Sequence, residues 1–180
     1  MQDSKAVLNF WFSELEPAQW WRKDPSLDER IAQRFAALLE QASGGGCAGW
    51  RTSARGRLAE IIVLDQFSRN VFRGTPRAFA QDALALHCAQ EAVALGEDQR
   101  LPLQQRAVVY MPYMHSEDAA IHHDSIRLFS QPGLEKSRVA ALQHQAIVDR
   151  FGRYPHRNAI LGRDSSPEET EFLTQPNSSF

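Results

Sequence analysis

Three short stretches of this chain concentrate arginine, histidine, asparagine and carboxylate side chains. The first is Leu64-Asp65-Gln66-Phe67-Ser68-Arg69-Asn70-Val71-Phe72-Arg73. Asp65 and Arg69 are four apart, so on a helix they share a face. Leu58, Ile61, Ile62 and Phe72 fall on the same stripe, and Leu64, Phe67 and Val71 on the adjoining one. Apolar residues over that much of the circumference imply deep burial. Charges there must be paired and hydrogen-bonded. They are either an internal strut between helices or a pocket wall in which Asp65 orients Arg69, with Gln66 beside them and Asn70 and Arg73 one turn on. Arginine presents a rigid fork of donors matched to carboxylate and phosphate.

The second stretch is Gly152-Arg153-Tyr154-Pro155-His156-Arg157-Asn158, ending at Leu161-Gly162-Arg163. Glycine and proline shape it as a turn. A solvated basic loop is one reading. Tyr154, Ile160 and Leu161 favour the other, a loop tied to the core and suited to an anion. The third stretch is Tyr110-Met111-Pro112-Tyr113-Met114-His115-Ser116-Glu117-Asp118. Ser116 suits the cap of a following helix, with Glu117 and Asp118 in its first turn. Capping leaves His115 unexplained, and a histidine beside carboxylates suits general acid–base work. His144 shares a face with Ala140, Ile147, Val148 and Phe151 and reads equally as core or site.

His122-His123-Asp124 is similar to the His-Asp doublet of HD-domain metal phosphohydrolases. His87 or His115 would be its first ligand and Asp149 its last, a set suited to Mn, Fe or Zn. Only one of two adjacent histidines can share the near face of Asp124. The expectation is therefore no metal and no cofactor. No His-Glu-x-x-His, Gly-x-Ser-x-Gly or dinucleotide fingerprint occurs in the sequence.

Helices must position these groups. Val7, Leu8, Trp11, Phe12 and Leu15 recur at helical spacing up to Pro17. Further helices are predicted from Asp24 or Ser26 to about Glu40, from about Ala54 to Phe72, and from about Phe79 to Leu95. Pro102 suits the first turn of the next, which Pro112 bends or ends. Others run from Glu117 to Phe129, from Glu135 to Phe151 with Gly152 at its end, and from the Ser166 capping box to about Leu173. Ser43-Gly44-Gly45-Gly46 reads as an inter-helix turn. Trp20, Trp21 and Trp50 are expected in the core. The short connections predict an all-α bundle of about seven to eight antiparallel helices.

The chain has 180 residues, 43% apolar and 23% charged, enough for one domain over 1–180 with its core at about 7–173. A net charge of −2 argues against a general nucleic-acid or membrane-surface binder. No apolar run is long enough to span a bilayer, and the start lacks a signal-peptide pattern. Cys47 and Cys88 are too few for a disulfide framework. A cytoplasmic location is expected.

Together, Val7-Leu8-Asn9-Phe10-Trp11-Phe12, Leu64-Asp65-Gln66 with Arg69-Asn70 and Arg73, His115-Ser116-Glu117, and Phe151 through Asn158 resemble a bacterial family catalogued as domain of unknown function nine-two-four. The resemblance runs from about Val7 to Leu173. It implies a tetratricopeptide-like all-α fold and no established activity, and it favours a shared polar pocket. Three functions follow as expectations. In the first, Asp65, Gln66, Arg69, Asn70, Arg73, Arg153, Arg157 and Asn158 bind a small anion: a phosphate, a nucleotide, or the carboxylate of a metabolite or peptide end. In the second, His115 or His156 is the acid–base group of a hydrolase or transferase and Glu117 its partner. In the third, the chain is a protein-interaction scaffold and the polar clusters are struts.

Overall fold

The computed structural model describes residues 3–180. Among them every regular element is helical. The first helix, α1 (Ser4–Asn9), is capped by the Asp3 carboxylate and runs on through π-helical turns at Phe10–Glu14. Its apolar face buries Val7, Leu8, Phe10 and Trp11. Helix α2 (Pro25–Ser43) starts on the Asp24 cap with proline in its first turn and buries Leu27, Ile31, Phe35, Leu38 and Leu39. Phe10, Phe35 and Phe67 meet with ring centroids 4.7–6.0 Å apart, which locks α1, α2 and the central helix together.

The central helix begins as α3 (Ala54–Ile61), passes through π-helical turns at Ile62–Phe67 and ends as α4 (Ser68–Val71). Everything from Leu58 to Ser68 is buried. The segment packs on α1, α2, α5 (Asp82–Ala94) and α6 (Leu103–His115). Beyond it α6 packs on α7 (Ala119–Phe129), and α7 on α8 (Glu135–Phe151). Successive helices thus lie side by side, as short connections require, an arrangement compatible with tetratricopeptide-like packing.

Gly152 and Gly162, both at φ 67°, bracket the second polar stretch. Each adopts a left-handed conformation that a side chain would resist. The first ends α8, and the second ends α9 (Asn158–Leu161). Helix α10 (Pro167–Leu173) closes the chain on the Ser166 capping box and packs Phe172 against Phe151.

Three local expectations change. Pro112 does not end α6, because Met111, Tyr113 and Met114 are buried around it and the helix runs on to His115. Asp118, not Ser116, caps α7, accepting from the Ala120 N–H at 2.8 Å. The Ser116 hydroxyl accepts from the Asp118 N–H, and its carbonyl takes His122 Nε2 at 2.8 Å. Trp20 stacks on buried Trp11 with centroids 5.7 Å apart, but Trp21 is 65% exposed and outside the core.

Candidate functional site

The π-helical turns set Asp65 fully inside the protein, facing the C-terminal end of α6. Its Oδ1 lies 2.7 Å from His115 Nδ1 and 3.0 Å from Arg69 Nη1. Gln66 Nε2 donates to Oδ2 at 2.5 Å. Burial opposes ionisation of this carboxyl, but Arg69 and His115 beside it hold it well below the usual carboxylate range. An ionised carboxylate only accepts, so the His115 proton sits on Nδ1 and Nε2 is left as an acceptor. Burial, then Arg69, push the His115 imidazole below its ordinary value, so it is neutral at pH 7.

Arg69 continues the chain of contacts. Its two terminal nitrogens bind the carboxylate of Asp82, in the first turn of α5, at 2.9 and 3.0 Å. Arg157 Nη1 reaches the same carboxylate at 3.2 Å, and its Nη2 donates to the His115 carbonyl at 2.9 Å. The Arg157 guanidinium lies between Phe79 and Tyr154, 4.5 and 4.7 Å from the two ring centroids. Its Nε is buried without a hydrogen-bond partner.

A cleft of about 410 Å³ opens above this network. Its lining joins polar residues, His115, Ser116, Glu117, Asp82 and Arg157, with apolar and small ones, Pro76, Phe79, Ala80, Ala83, Leu86 and Leu161. A second depression, of about 320 Å³ between Phe129 and Arg138, holds none of the candidate residues.

The structure brings Asp65, Gln66, Arg69, His115, Glu117 and Arg157 to the cleft or directly beneath it. The remaining candidates go elsewhere. Asn70 and Arg73 both bind Asp28 of α2, at 2.5–2.8 Å. Arg153 forms a two-pronged pair with Glu169 of α10, at 2.7 and 2.8 Å, and Asn158 Nδ2 joins the same carboxylate at 3.2 Å. His156 is outside the cleft lining. Its ring lies 5.6 Å from Tyr154, and burial followed by the Arg157 charge lowers it to about 4. Glu117 is held by Arg163 at 2.7 and 2.9 Å and accepts the Tyr154 N–H at 2.8 Å. The carboxylate that orients His115 is therefore Asp65, and Glu117 anchors the second loop.

Asp82 and Tyr154 are the site residues that sequence reasoning passed over. An acid in the first turn of a helix is explained by the helix dipole alone. Tyr154 is fully buried and donates its hydroxyl to the Met114 carbonyl at 2.5 Å. His122, His144 and His156 gather around it, and the His115 ring lies 6.4 Å from that of His144. His144 is buried, donates its Nδ1–H to the Ala140 carbonyl, and stacks on Phe180 at 3.7 Å. Among the described residues no group of three or more histidine, cysteine, aspartate or glutamate side chains is placed to hold a metal ion. His123 is exposed and Asp124 pairs with Arg127 at 2.9 Å, so the doublet has no third ligand.

The profile of a family described as a bacterial protein of unknown function (DUF924) matches residues 7–177. The chain belongs to this family. A solved structure of a protein of unknown function from Agrobacterium tumefaciens is 37% identical, covering 94% of this chain and 96% of that one with a TM-score of 0.90. Among curated proteins, no sequence matches the chain. The DUF924 resemblance seen in the sequence motifs is thus shown across almost the whole length, together with the all-helical fold. Among the described residues no helix is long and apolar enough to cross a membrane.

Proposed function

We propose that this family member binds a small molecule with one anionic or carbonyl oxygen in the cleft, with Arg157 as the contact for that oxygen. The observation that carries the reading is the carboxylate-oriented histidine at the cleft floor: Asp65 fixes the His115 tautomer at 2.7 Å and leaves Nε2 as an acceptor beside Arg157. The reading takes 1–180 as one helical domain, since the site draws on residues from α3 to α9. Arg153, Asn158, Asn70 and Arg73 support the walls through their carboxylate partners. Cys47 and Cys88 are buried free thiols held up at about 11 chiefly by that burial, which fits the reducing cytoplasm.

A second reading rests on the same histidine. A neutral imidazole held by a buried carboxylate is a general base, and an adjacent guanidinium stabilises charge developing on a carbonyl oxygen. The chain is then a hydrolase or transferase with His115 moving the proton.

The test is thermal unfolding with phosphate, nucleotides, acetate, longer organic acids and short peptides. A ligand at 100 times its Kd stabilises by about 2.7 kcal/mol. The expected result is a response to at least one anion that vanishes in Arg157→Ala and weakens in His115→Ala. A response that Arg157→Ala leaves intact sinks the binding reading. Turnover of activated esters that survives His115→Ala sinks the catalytic one.

A further inference from the structure

We infer that the ligand of this cleft is an acyl compound: a single carboxylate on an apolar body. The inference rests on the small-anion reading above and narrows it by three observations.

The first is charge. Around the cleft Arg69 and Arg157 are already met by Asp65 and Asp82, and Arg163 by Glu117. The arginine clusters that looked like a phosphate site in the sequence are balanced pairs. Among the described residues the one arginine or lysine in the cleft lining is Arg157, itself paired with Asp82, so no second positive charge is there for a phosphate dianion or a dicarboxylate.

The second is hydrogen bonding. Both Glu117 oxygens are taken by Arg163, with the Tyr154 N–H on one of them. Asp82 is taken by Arg69 and Arg157. Three functions on residues that line the cleft have no partner of their own: Arg157 Nε–H, which is buried, the Ser116 hydroxyl hydrogen and His115 Nε2. The two donors match the two oxygens of one carboxylate.

The third is the apolar part of the lining. Phe79, Ala83, Leu86 and Leu161 are exposed or partly exposed apolar or small residues of the same cleft, with Phe79 stacked on the Arg157 guanidinium. They offer area to a hydrocarbon chain and no hydrogen bond to a sugar or a base.

The experiment is a calorimetric titration of the full chain with butanoate, hexanoate and octanoate, with adipate and inorganic phosphate beside them. Affinity should rise about fourfold per methylene buried, near 0.8 kcal/mol each. Adipate and phosphate should bind at least tenfold more weakly than hexanoate. Ala83 is exposed on α5, so Ala83→Trp folds and fills the cleft, and octanoate binding should be lost. A flat chain-length series, or phosphate binding as tightly as hexanoate, overturns the acyl inference and leaves the anion site standing. Chain-length-dependent binding that persists in Ala83→Trp places the acid elsewhere and also overturns it. No binding of any of these anions overturns the acyl inference, and the wider ligand panel above then decides the binding reading.

Discussion

Asp65 accepts from His115, Arg69 and Gln66 while shut off from water. Deleting one partner of a buried ionic cluster leaves the others uncompensated, at about 3–5 kcal/mol. Asp65→Ala should therefore lower stability by that amount, read as a fall in the denaturant midpoint at unchanged slope. Asp65→Asn should change the tautomer of His115, because an amide nitrogen can donate where the imidazole now must. Nitrogen chemical shifts of the His115 ring check this. An unchanged Nδ1–H tautomer would show that Asp65 does not orient the ring. The i,i+4 spacing made the Asp65–Arg69 pair legible from the sequence. The link to His115, fifty residues on, was not, since neither cluster carries a signal that names the other.

At the scale of elements, the central helix is held at its start by Gly56. A Cβ there would come within 2.0 Å of the Trp50 carbonyl oxygen and 2.9 Å of its carbon. Both are backbone atoms and cannot swing away. Helix propensity alone favours alanine over glycine by about 1 kcal/mol. The clash reverses that sign, as overpacking costs roughly 1–3 kcal/mol. Gly56→Ala should lower the thermal midpoint, and a rise would show that α3 can slide away from the Trp50 turn. Helix positions were legible because the apolar stripes repeat at helical spacing. The π-helical turns at Ile62–Phe67 were not, since one widened turn leaves a stretch buried on every side looking the same. The Pro112 signal was overridden by burial on either side of it.

The whole molecule carries a pH signature. His115, His122, His144 and His156 all sit below the ordinary 6.5, in each case first because burial disfavours the charged ring, with His144 at about 3 and His156 at about 4. Unfolded, these rings take up protons below about pH 6.5 that the folded rings refuse. Stability is therefore complete above that value and falls as pH drops from about 6.5 towards 4. Each ring adds at most about 1.4 kcal/mol per pH unit. Denaturant midpoints measured from pH 7.5 to 4.5 should decline across this window, and His144→Gln should flatten the curve. A midpoint constant down to pH 4.5 would mean that the rings are hydrated when folded. Phe180 contributes, since its ring covers His144. Phe180→Ala should raise the His144 value, read by proton NMR titration.

Local chemistry in the sequence was enough for the helices, the Gly152 and Ser166 helix ends, the buried Asp65–Arg69 stripe and the family motifs. Each depends on residues within a few turns of one another. Tertiary structure alone decided which charge answers which. Asp28 took Asn70 and Arg73, Glu169 took Arg153 and Asn158, and Asp82 took Arg69 and Arg157 across 75 residues of chain. A buried guanidinium accepts any carboxylate that packing delivers, and packing is fixed by the summed apolar contacts of every helix. Sequence could therefore name Asp65, Arg69, Glu117 and Arg157, but only the fold could bring in Asp82 and show that these charges are already balanced around a cleft lined in part by apolar residues.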